Sequence, residues 1–273
     1  MEDKLDRAGY LRRVDPASLP LFEQRQLRKR WRYVGLFAEE VMLCAARAEV
    51  GPLTQSFWVL LDRQSGQQWN HTALAPGSKE VTMDGPRLEI DGPGLRASLR
   101  LGEVTPIEVT CPSGRASAWT RKQVGMPVGG TIEVPGQRWE VTGHGVDDES
   151  AGHHQRQTSW NWSAGVGTAA DGRTVAWNLV TGINDPAQGS ERAIWIEGEP
   201  AEPPPVRFDR PNEIDLEAAG SLRFATESEH THDDNYLVIR SRYRHRFGSF
   251  TGSLGGVELA EGLGVMEEHD ARW

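Results

Sequence analysis

The sequence predicts an all-β fold built from antiparallel hairpins. From about residue 50 onward, apolar and polar residues alternate with a period of two, as expected for strands with one buried face. Turn-forming residues interrupt this alternation repeatedly, for example Asp91-Gly92-Pro93-Gly94 before the alternating stretch 95–101. The one helix candidate, Leu19 to Arg30, has a poor match to the helical period, although Pro20 suits a first turn. This pattern is typical of β-sandwiches and β-barrels.

The strands can be assigned from these alternating positions. Those of the first part centre on Leu88/Ile90, Leu95 to Leu101, Ile107 to Cys111, Ile132/Val134 and Trp139/Val141. Those of the second part centre on Val175 to Leu179, Ile194/Ile196, Ile214/Leu216 and Leu222/Phe224. The polar stretch 143–152 between them indicates a connection. We therefore predict an N-terminal half of residues 1–145 and a C-terminal half of residues 146–273.

Composition and charge exclude several classes of protein. The 273 residues are 37% hydrophobic and 25% charged, which is ordinary for a globular chain. A net charge of −9 argues against a nucleic-acid partner, because the phosphate backbone is itself negative. No stretch approaches the length of a transmembrane segment, and the N-terminus lacks the apolar core of a signal peptide. We therefore expect a cytoplasmic protein; the oligomeric state is left open.

The known motifs for metals, cofactors and nucleophiles are missing from the sequence. The two cysteines, Cys44 and Cys111, form no CxxC pair, and no HExxH segment is present, so no metal site is expected. Gly165-Val166-Gly167-Thr168-Ala169-Ala170 has the spacing of a dinucleotide-binding turn, but an Asp-Gly turn and a strand follow it instead of a helix. No GxSxG elbow occurs. We expect no cofactor.

An aromatic and polar stretch in the middle of the chain is the first candidate site. If this segment is extended, His154, Arg156, Thr158, Trp160 and Trp162 share one face. That face is too polar for a plain core and too aromatic for a plain surface, which favours the lining of a cavity. The alternative is that both indoles are core anchors. A shift of one residue would put His153 in the place of His154.

The C-terminal segment provides the second candidate site. Glu267 and His269 lie on one face of a predicted strand, where the carboxylate can orient the imidazole or raise its pKa. The pair is therefore a candidate for general acid–base catalysis. The alternative is a solvated, frayed chain end, although Trp273 at the very end favours a docked segment.

Four arginines alternate along the stretch 239–247: Arg240, Arg242, Arg244 and Arg246. Such a row most often forms a solvated outer face that protects an edge strand from pairing. Recognition of a ligand carboxylate is the alternative.

The order of several motifs resembles the bacterial family known as domain of unknown function 2804. The resemblance rests on the segments GHHQRQTSWNWSAGVGTAADGRTVAWNLVTGIND, SERAIWIEGE and YRHRFGSFTGSLGGVELAEGLGVMEEHDARW. More distantly, the chain is similar to tandem lipocalin-like proteins that include carotenoid 1,2-hydratases. The resemblance implies two lipocalin-like β-barrel or sandwich halves packed together, with a ligand bound where they meet.

The sequence is consistent with three functions. The first is binding of a mainly apolar small molecule, of the lipid or isoprenoid type, near the seam of the two halves. The second is a cofactor-independent hydratase, isomerase or cyclase that acts on such a molecule by acid–base catalysis. The third is a packing or interaction module without a small ligand. The expected ligand-binding residues are His154, Arg156, Trp160, Trp162 and Asn178, and the expected catalytic residues are Glu267 and His269.

Overall fold

The computed structural model describes residues 16, 18–23, 26–74, 79–236 and 239–272, and these are almost entirely β-strands. Two short strands, β1 (Phe22–Glu23) and β2 (Gln26–Leu27), form a small hairpin before the first large sheet. That sheet contains β3 (Lys29–Phe37), β4 (Val41–Val50), β5 (Leu53–Asp62), β6 (Gln68–Leu74), β7 (Val81–Asp84), β8 (Arg87–Gly92), β9 (Leu95–Leu101), β10 (Ile107–Ser113), β11 (Ala116–Val134) and β12 (Gln137–Gly152).

Four residues, 153–156, separate the end of the first sheet from the start of the second large sheet. It contains β13 (Gln157–Ala169), β14 (Thr174–Thr181), β15 (Ala193–Ile196), β16 (Glu199–Ala201), β17 (Arg207–Arg210), β18 (Glu213–Asp215), β19 (Gly220–Tyr236), β20 (Ile239–Leu254) and β21 (Val257–Arg272). A single 3-10 turn, Glu217–Ala219, precedes β19. Within the described residues, no helix has the length and apolar composition needed to cross a membrane.

Both large sheets have the same strand order. The first runs β6-β5-β4-β3-β12-β11-β9-β8-β7, with β10 added beside β11. The second runs β16-β15-β14-β13-β21-β20-β19-β18-β17. In each sheet four strands extend to one side, the chain crosses to the far edge, and the last strand returns to pair with the first. The fold therefore repeats one nine-stranded unit, in which β3 corresponds to β13, β11 to β20, and β12 to β21.

Parts of the central strands are buried on both faces, such as residues 33–37 of β3 and 41–46 of β4. In β3, Val34 and Leu36 pack inside the curled first sheet, whereas Tyr33 and Phe37 point to its other face. That other face packs against the second sheet through a shared apolar cluster. The members of this cluster from the second sheet include Trp162, Ala164, Val180, Phe247 and Val265. A third cluster, with Trp177, Phe224 and Phe250, fills the curled second sheet. The core thus has three layers, and the middle one joins the two halves.

The structure corrects three expectations. The predicted helix over Leu19 to Arg30 is wrong: the described residues there form β1, β2 and the start of β3. The polar stretch 143–152 is part of β12, because its acidic residues pair with cations of neighbouring strands. The arginine row lies on β20, which pairs with β19 and β21 and is not an edge strand. Arg246 of this row is buried and pairs with Glu268.

The chain passes from one sheet to the other at residues 153–156. The boundary predicted between residues 145 and 146 lies inside β12, and the division of the chain into two domains stays a prediction. Trp273, which we expected to be docked, lies outside the described residues.

The shared apolar cluster should carry a large part of the stability. Phe247 is 1% exposed in this cluster, so Phe247→Ala is expected to lower the free energy of unfolding by about 3–5 kcal/mol through the cavity that it leaves. The matched control, Phe22→Ala, removes a ring that is 60% exposed and should change this free energy by less than about 0.5 kcal/mol. Urea unfolding followed by circular dichroism measures both values; equal effects would contradict the assignment.

Candidate functional site

A cavity of about 370 Å³ lies between the two sheets, beside the shared apolar cluster. Strands from both halves line it, and most lining side chains are apolar or aromatic. Leu53 and Leu74 border the cavity while remaining 41% and 49% exposed, which places its mouth at this end of β5 and β6. The lining residues include Trp31, Tyr33, Ala48, Lys122, Asp148, Trp160, Trp162, Glu191, Ser241, Tyr243, Glu267 and His269.

Stacked rings form one wall of the cavity. Trp31 and Trp160, from opposite sheets, lie nearly parallel with ring centroids 6.5 Å apart. Tyr33 meets Trp162 edge-on at 5.2 Å, and its hydroxyl is 3.0 Å from Nε2 of His245. The rings of Trp160 and Trp162 therefore contact the partner sheet, and both residues line the cavity.

Glu267 is a buried carboxyl on this wall. Its Oε1 accepts a hydrogen bond of 2.8 Å from the indole N–H of Trp160, and its Oε2 accepts one of 2.9 Å from the hydroxyl of Tyr243. Burial raises the pKa of Glu267 from 4.5 to about 7, although both hydrogen bonds favour the charged form. Desolvation thus leaves Glu267 able to exist in either protonation state near neutral pH.

His269 lies next to this group but differs from our expectation. Its Nε2 is 2.8 Å from Oγ of Ser241, and its ring centroid is 4.2 Å from that of Trp160. Burial lowers the pKa of His269 to about 3, the opposite of the predicted direction. The physical reason is that both Glu267 oxygens accept hydrogen bonds from other strands, while desolvation disfavours the imidazolium. His269 is therefore neutral and a weak base.

A second group of charges borders the same cavity. Nζ of Lys122 lies 2.5 Å from Oδ2 of Asp148 and 3.4 Å from Oε2 of Glu191, and all three side chains are almost fully buried. Burial opposes the ammonium, but the two carboxylates outweigh it and raise the pKa of Lys122. Burial also raises the pKa values of Asp148 and Glu191, while the ammonium of Lys122 opposes this. Lys122 is therefore a stable cation, and the two carboxyls compete for it.

The two polar groups occupy equivalent places in the repeated fold. In the first sheet, Tyr33 pairs with Asp148, and Asp148 pairs with Lys122, across β3, β12 and β11. In the second sheet, Trp162 pairs with Glu267, and Glu267 pairs with His245, across β13, β21 and β20. Directly opposed residues of antiparallel strands share a face. Each half thus presents one row consisting of an aromatic ring, a carboxyl and a basic side chain.

The other predicted site residues lie behind or outside the cavity. Asn178 is fully buried, where it accepts a hydrogen bond from the indole N–H of Trp162 and donates one to the carbonyl of Glu191. His154 is buried behind Trp31, with ring centroids 4.7 Å apart, and burial lowers the pKa of His154 to about 3. His153 lies within hydrogen-bonding distance of the carbonyl of Pro20, away from the cavity.

Arg156 does not reach the cavity. It is exposed in the connection between the sheets, and β13 begins only at Gln157, so the strand alternation that we predicted does not extend to residues 154 and 156. Lys29 holds this connection, because its Nζ donates to the carbonyl oxygens of His154 and Gln155. The predicted common face is therefore shorter and contains Trp160 and Trp162.

The sequence analysis missed the group around Lys122. Asp148 was part of the polar stretch that we assigned to a connection, and nothing local distinguishes Lys122 or Glu191 from surface residues. A usable signal was the scarcity of lysine: the chain has only Lys4, Lys29, Lys79 and Lys122. Among the described residues, no cluster of three or more His, Cys, Asp or Glu side chains is arranged to hold a metal ion.

Curled, antiparallel sheets around a cavity define the class of protein: the fold is lipocalin-like, in two halves. Within this class the chain belongs to the domain of unknown function 2804 family, whose model matches residues 75–273. Both conclusions agree with the resemblance found in the sequence. A comparison with curated protein sequences found no significant match.

Solved structures with a similar fold have very different sequences. Kievitone hydratase from Nectria haematococca superposes with a TM-score of 0.58 at 10% identity, over 94% of this chain and 91% of that one. An AttH-like protein from Nitrosomonas europaea gives a TM-score of 0.56 at 13% identity, over 88% and 92%. CghA gives 0.50 at 11% identity, over 90% and 88%. At these identities the similarity establishes the fold only.

The raised pKa of Glu267 should make stability depend on pH. Because the pKa of the folded state, about 7, exceeds the ordinary 4.5, the folded protein binds more protons between these values, and stability falls as pH rises through this window. Glu267→Gln removes this dependence. Relative to the variant, the wild type should lose about 3 kcal/mol of unfolding free energy between pH 4.5 and 8. Urea unfolding at several pH values measures the difference; a constant difference would contradict the raised pKa.

Proposed function

We propose that this chain binds a mainly apolar small molecule, of the lipid or isoprenoid type, in the cavity between its two sheets. The observation that carries this proposal is the cavity itself, whose walls are aromatic and aliphatic and which opens beside Leu53 and Leu74. Its volume of about 370 Å³ fits small-molecule sites, which span roughly 300–1,000 Å³. A net charge of −9 favours an uncharged ligand over nucleic acid.

The residues in and behind the cavity wall would make different contributions to binding. The indoles of Trp160 and Trp162 would supply apolar contact area at little cost in conformational entropy, because each is already fixed by a hydrogen bond. Asn178 would act indirectly, by holding Trp162. His154 and Arg156 have no place in this proposal, since neither lines the cavity.

Filling the cavity tests binding directly. Ala48 lines the cavity, so Ala48→Trp should place an indole in the space of the ligand and reduce the affinity for the uncharged probe N-phenyl-1-naphthylamine at least about tenfold. The control, Ala260→Trp, adds the same ring at an exposed position and should leave the affinity unchanged. Fluorescence titration gives both values. Probe binding that is equal in the wild type and in Ala48→Trp would sink the assignment of the cavity.

Proton transfer to the bound molecule is the second candidate function, and Glu267 favours it. A carboxyl with a pKa of about 7 can both donate and accept a proton near neutral pH. Protonated Glu267 would donate to one carbon of a double bond, water would add to the resulting cation, and the proton lost by that water would return to Glu267. A neighbour of similar fold carries the name of a hydratase, but the support here comes from the carboxyl.

Within this second candidate, His269 has a positioning role. Its low pKa makes it a poor general base, whereas its packing on Trp160 holds the indole that donates to Glu267. The predicted catalytic pair would then reduce to one proton carrier, Glu267, supported by the neutral ring of His269.

Deuterium labelling tests proton transfer without a known substrate. An organic extract of bacterial cells is incubated in D₂O with the wild type or with Glu267→Gln, and mass spectrometry searches for carbon-bound deuterium. Hydration adds D₂O to a compound, and isomerisation replaces one hydrogen by deuterium. Either label should appear with the wild type and be lost in the variant, which should still bind N-phenyl-1-naphthylamine. Equal labelling by both proteins would remove Glu267 from the mechanism.

A further inference from the structure

We infer that Lys122 forms a second, cationic pole of this cavity, which binds the carbonyl oxygen of an otherwise apolar ketone. This inference rests on the proposed function and names the class of ligand. It assigns a binding role to a side chain of the first half, at the position that His245 occupies in the second half, and not to Glu267 itself.

The geometry of Lys122 suits a binding role. Its side chain is 2% exposed, lines the cavity and ends in an ammonium group with three N–H donors. The carboxylates of Asp148 and Glu191 account for two of these donors. A third donor on a fixed cation at the cavity wall suits a ligand oxygen, because hydrogen bonds from charged donors are the strongest that a neutral carbonyl can accept.

The buried charges of this group are costly. Lys122 lies at the border of the shared apolar cluster, since Val124, two residues further on the same face of β11, belongs to it. A buried group of one ammonium and two carboxyls is usually less stable than apolar side chains of the same volume. Stability alone therefore does not explain its presence, whereas recognition of a polar atom in an apolar cavity does.

Lys122 and Glu267 belong to corresponding rows of the two halves. The row Tyr33–Asp148–Lys122 of the first half corresponds to the row Trp162–Glu267–His245 of the second half. The hydroxyl of Tyr33 contacts His245, so the two rows meet beside the cavity. Trp162 also connects to the group around Lys122 through Asn178 and Glu191. The walls around a ligand in the cavity thus carry both a cation, Lys122, and a titratable carboxyl, Glu267.

The charges of the cavity favour a ketone over a carboxylate. Two carboxyls already compete for one ammonium, so an anionic ligand would add a third negative group in a medium of low dielectric constant. A ketone adds no net charge. This distinguishes the expected ligand from a fatty acid, whose carboxylate would face Asp148 and Glu191.

The same arrangement fits an enolisation step. Glu267, in its charged form, removes a proton from the carbon next to the carbonyl; the C–H bond breaks and its electron pair becomes the C=C bond of an enolate, with the charge on oxygen. Lys122 binds this oxygen. Glu267, now neutral, returns the proton to a different carbon of a conjugated system, which completes an isomerisation without any co-reactant. The negative charge moves from Glu267 to the oxygen beside Lys122 and back, so the net charge of the cavity stays constant.

A matched pair of probes tests the inference. 2-Acetylnaphthalene and 2-ethylnaphthalene have the same ring and nearly the same shape, but only the first has a carbonyl oxygen. Because Lys122→Met alone would leave two buried carboxyls unpaired, the variant is Lys122→Met/Asp148→Leu/Glu191→Met, which replaces the whole charged group by apolar side chains. Lys79→Met, at an exposed lysine, is the control. Equilibrium dialysis measures both affinities for each protein.

The expected result is a loss of selectivity for the ketone. Relative to 2-ethylnaphthalene, the affinity for 2-acetylnaphthalene should fall at least about tenfold in the triple variant and stay unchanged in Lys79→Met. An unchanged ratio would overturn the role of Lys122 while leaving the apolar cavity in place. Failure of the wild type to bind either probe would overturn the proposed function and this inference together.

A second measurement requires no variant. The infrared carbonyl band of 2-acetylnaphthalene bound to the wild type should lie below its position in water, because the ammonium of Lys122 is a stronger donor than water. A band at the position found in an apolar solvent would overturn the inference even if the triple variant does not fold.

Discussion

The packing of one sheet against the other is the constraint on which the rest of the structure depends. Each sheet must be apolar inside its own curl and apolar again on the face that meets its partner, so the segments of the central strands at this contact have no solvated face. In β4, for example, Val41 and Leu43 face the inside of the first sheet, whereas Met42 and Cys44 face the second sheet. The cavity lies where the contact between the two sheets is incomplete. Its walls are therefore part of the core and have a low dielectric constant.

That low dielectric constant gives the polar groups of the cavity their properties. The same desolvation raises the pKa of Glu267, lowers that of His269, and leaves Lys122 charged only because two carboxyls accompany it. The hydrogen bonds to Glu267 affect the position of its carboxyl more than its protonation state. The two donors, Tyr243 and Trp160, lie on two other strands. Because the apolar wall favours the neutral carboxyl, the pKa of Glu267 lies near neutral pH. A small change in pH, or the binding of a ligand, therefore alters its protonation state.

The sequence predicts the parts of the structure that have a local cause. Hairpins such as the one around Pro135-Gly136 follow from turn residues between alternating strands, and the common face of Trp160 and Trp162 follows from the two-residue period. The first strands were not predicted because residues 41–46 are buried on both faces and show no alternation. Arg156 was misplaced because β13 begins only at Gln157, after a connection that Lys29 contacts from a distant part of the sequence.

The contacts that define the site join residues that are distant in the sequence. Glu267 and His269 are two residues apart and share a face, as predicted, yet their hydrogen-bond partners come from strands 24 to 107 residues away. Lys122 lies on β11 of the first sheet and Glu191 precedes β15 of the second sheet, so their contact depends on how the two sheets pack. Such pairs follow from strand order and register, which a single sequence does not specify.

The repetition of the nine-stranded unit has a consequence for molecular symmetry. Two identical copies packed face to face would enclose a cavity with an approximate twofold axis, and an unsymmetrical guest would fit it equally well in two opposite directions. In this chain the equivalent positions on β11 and β20 hold Lys122 and His245, a cation and a neutral ring, so the two directions are no longer equal. The difference between the two halves thus gives the cavity a polarity that two identical halves would lack.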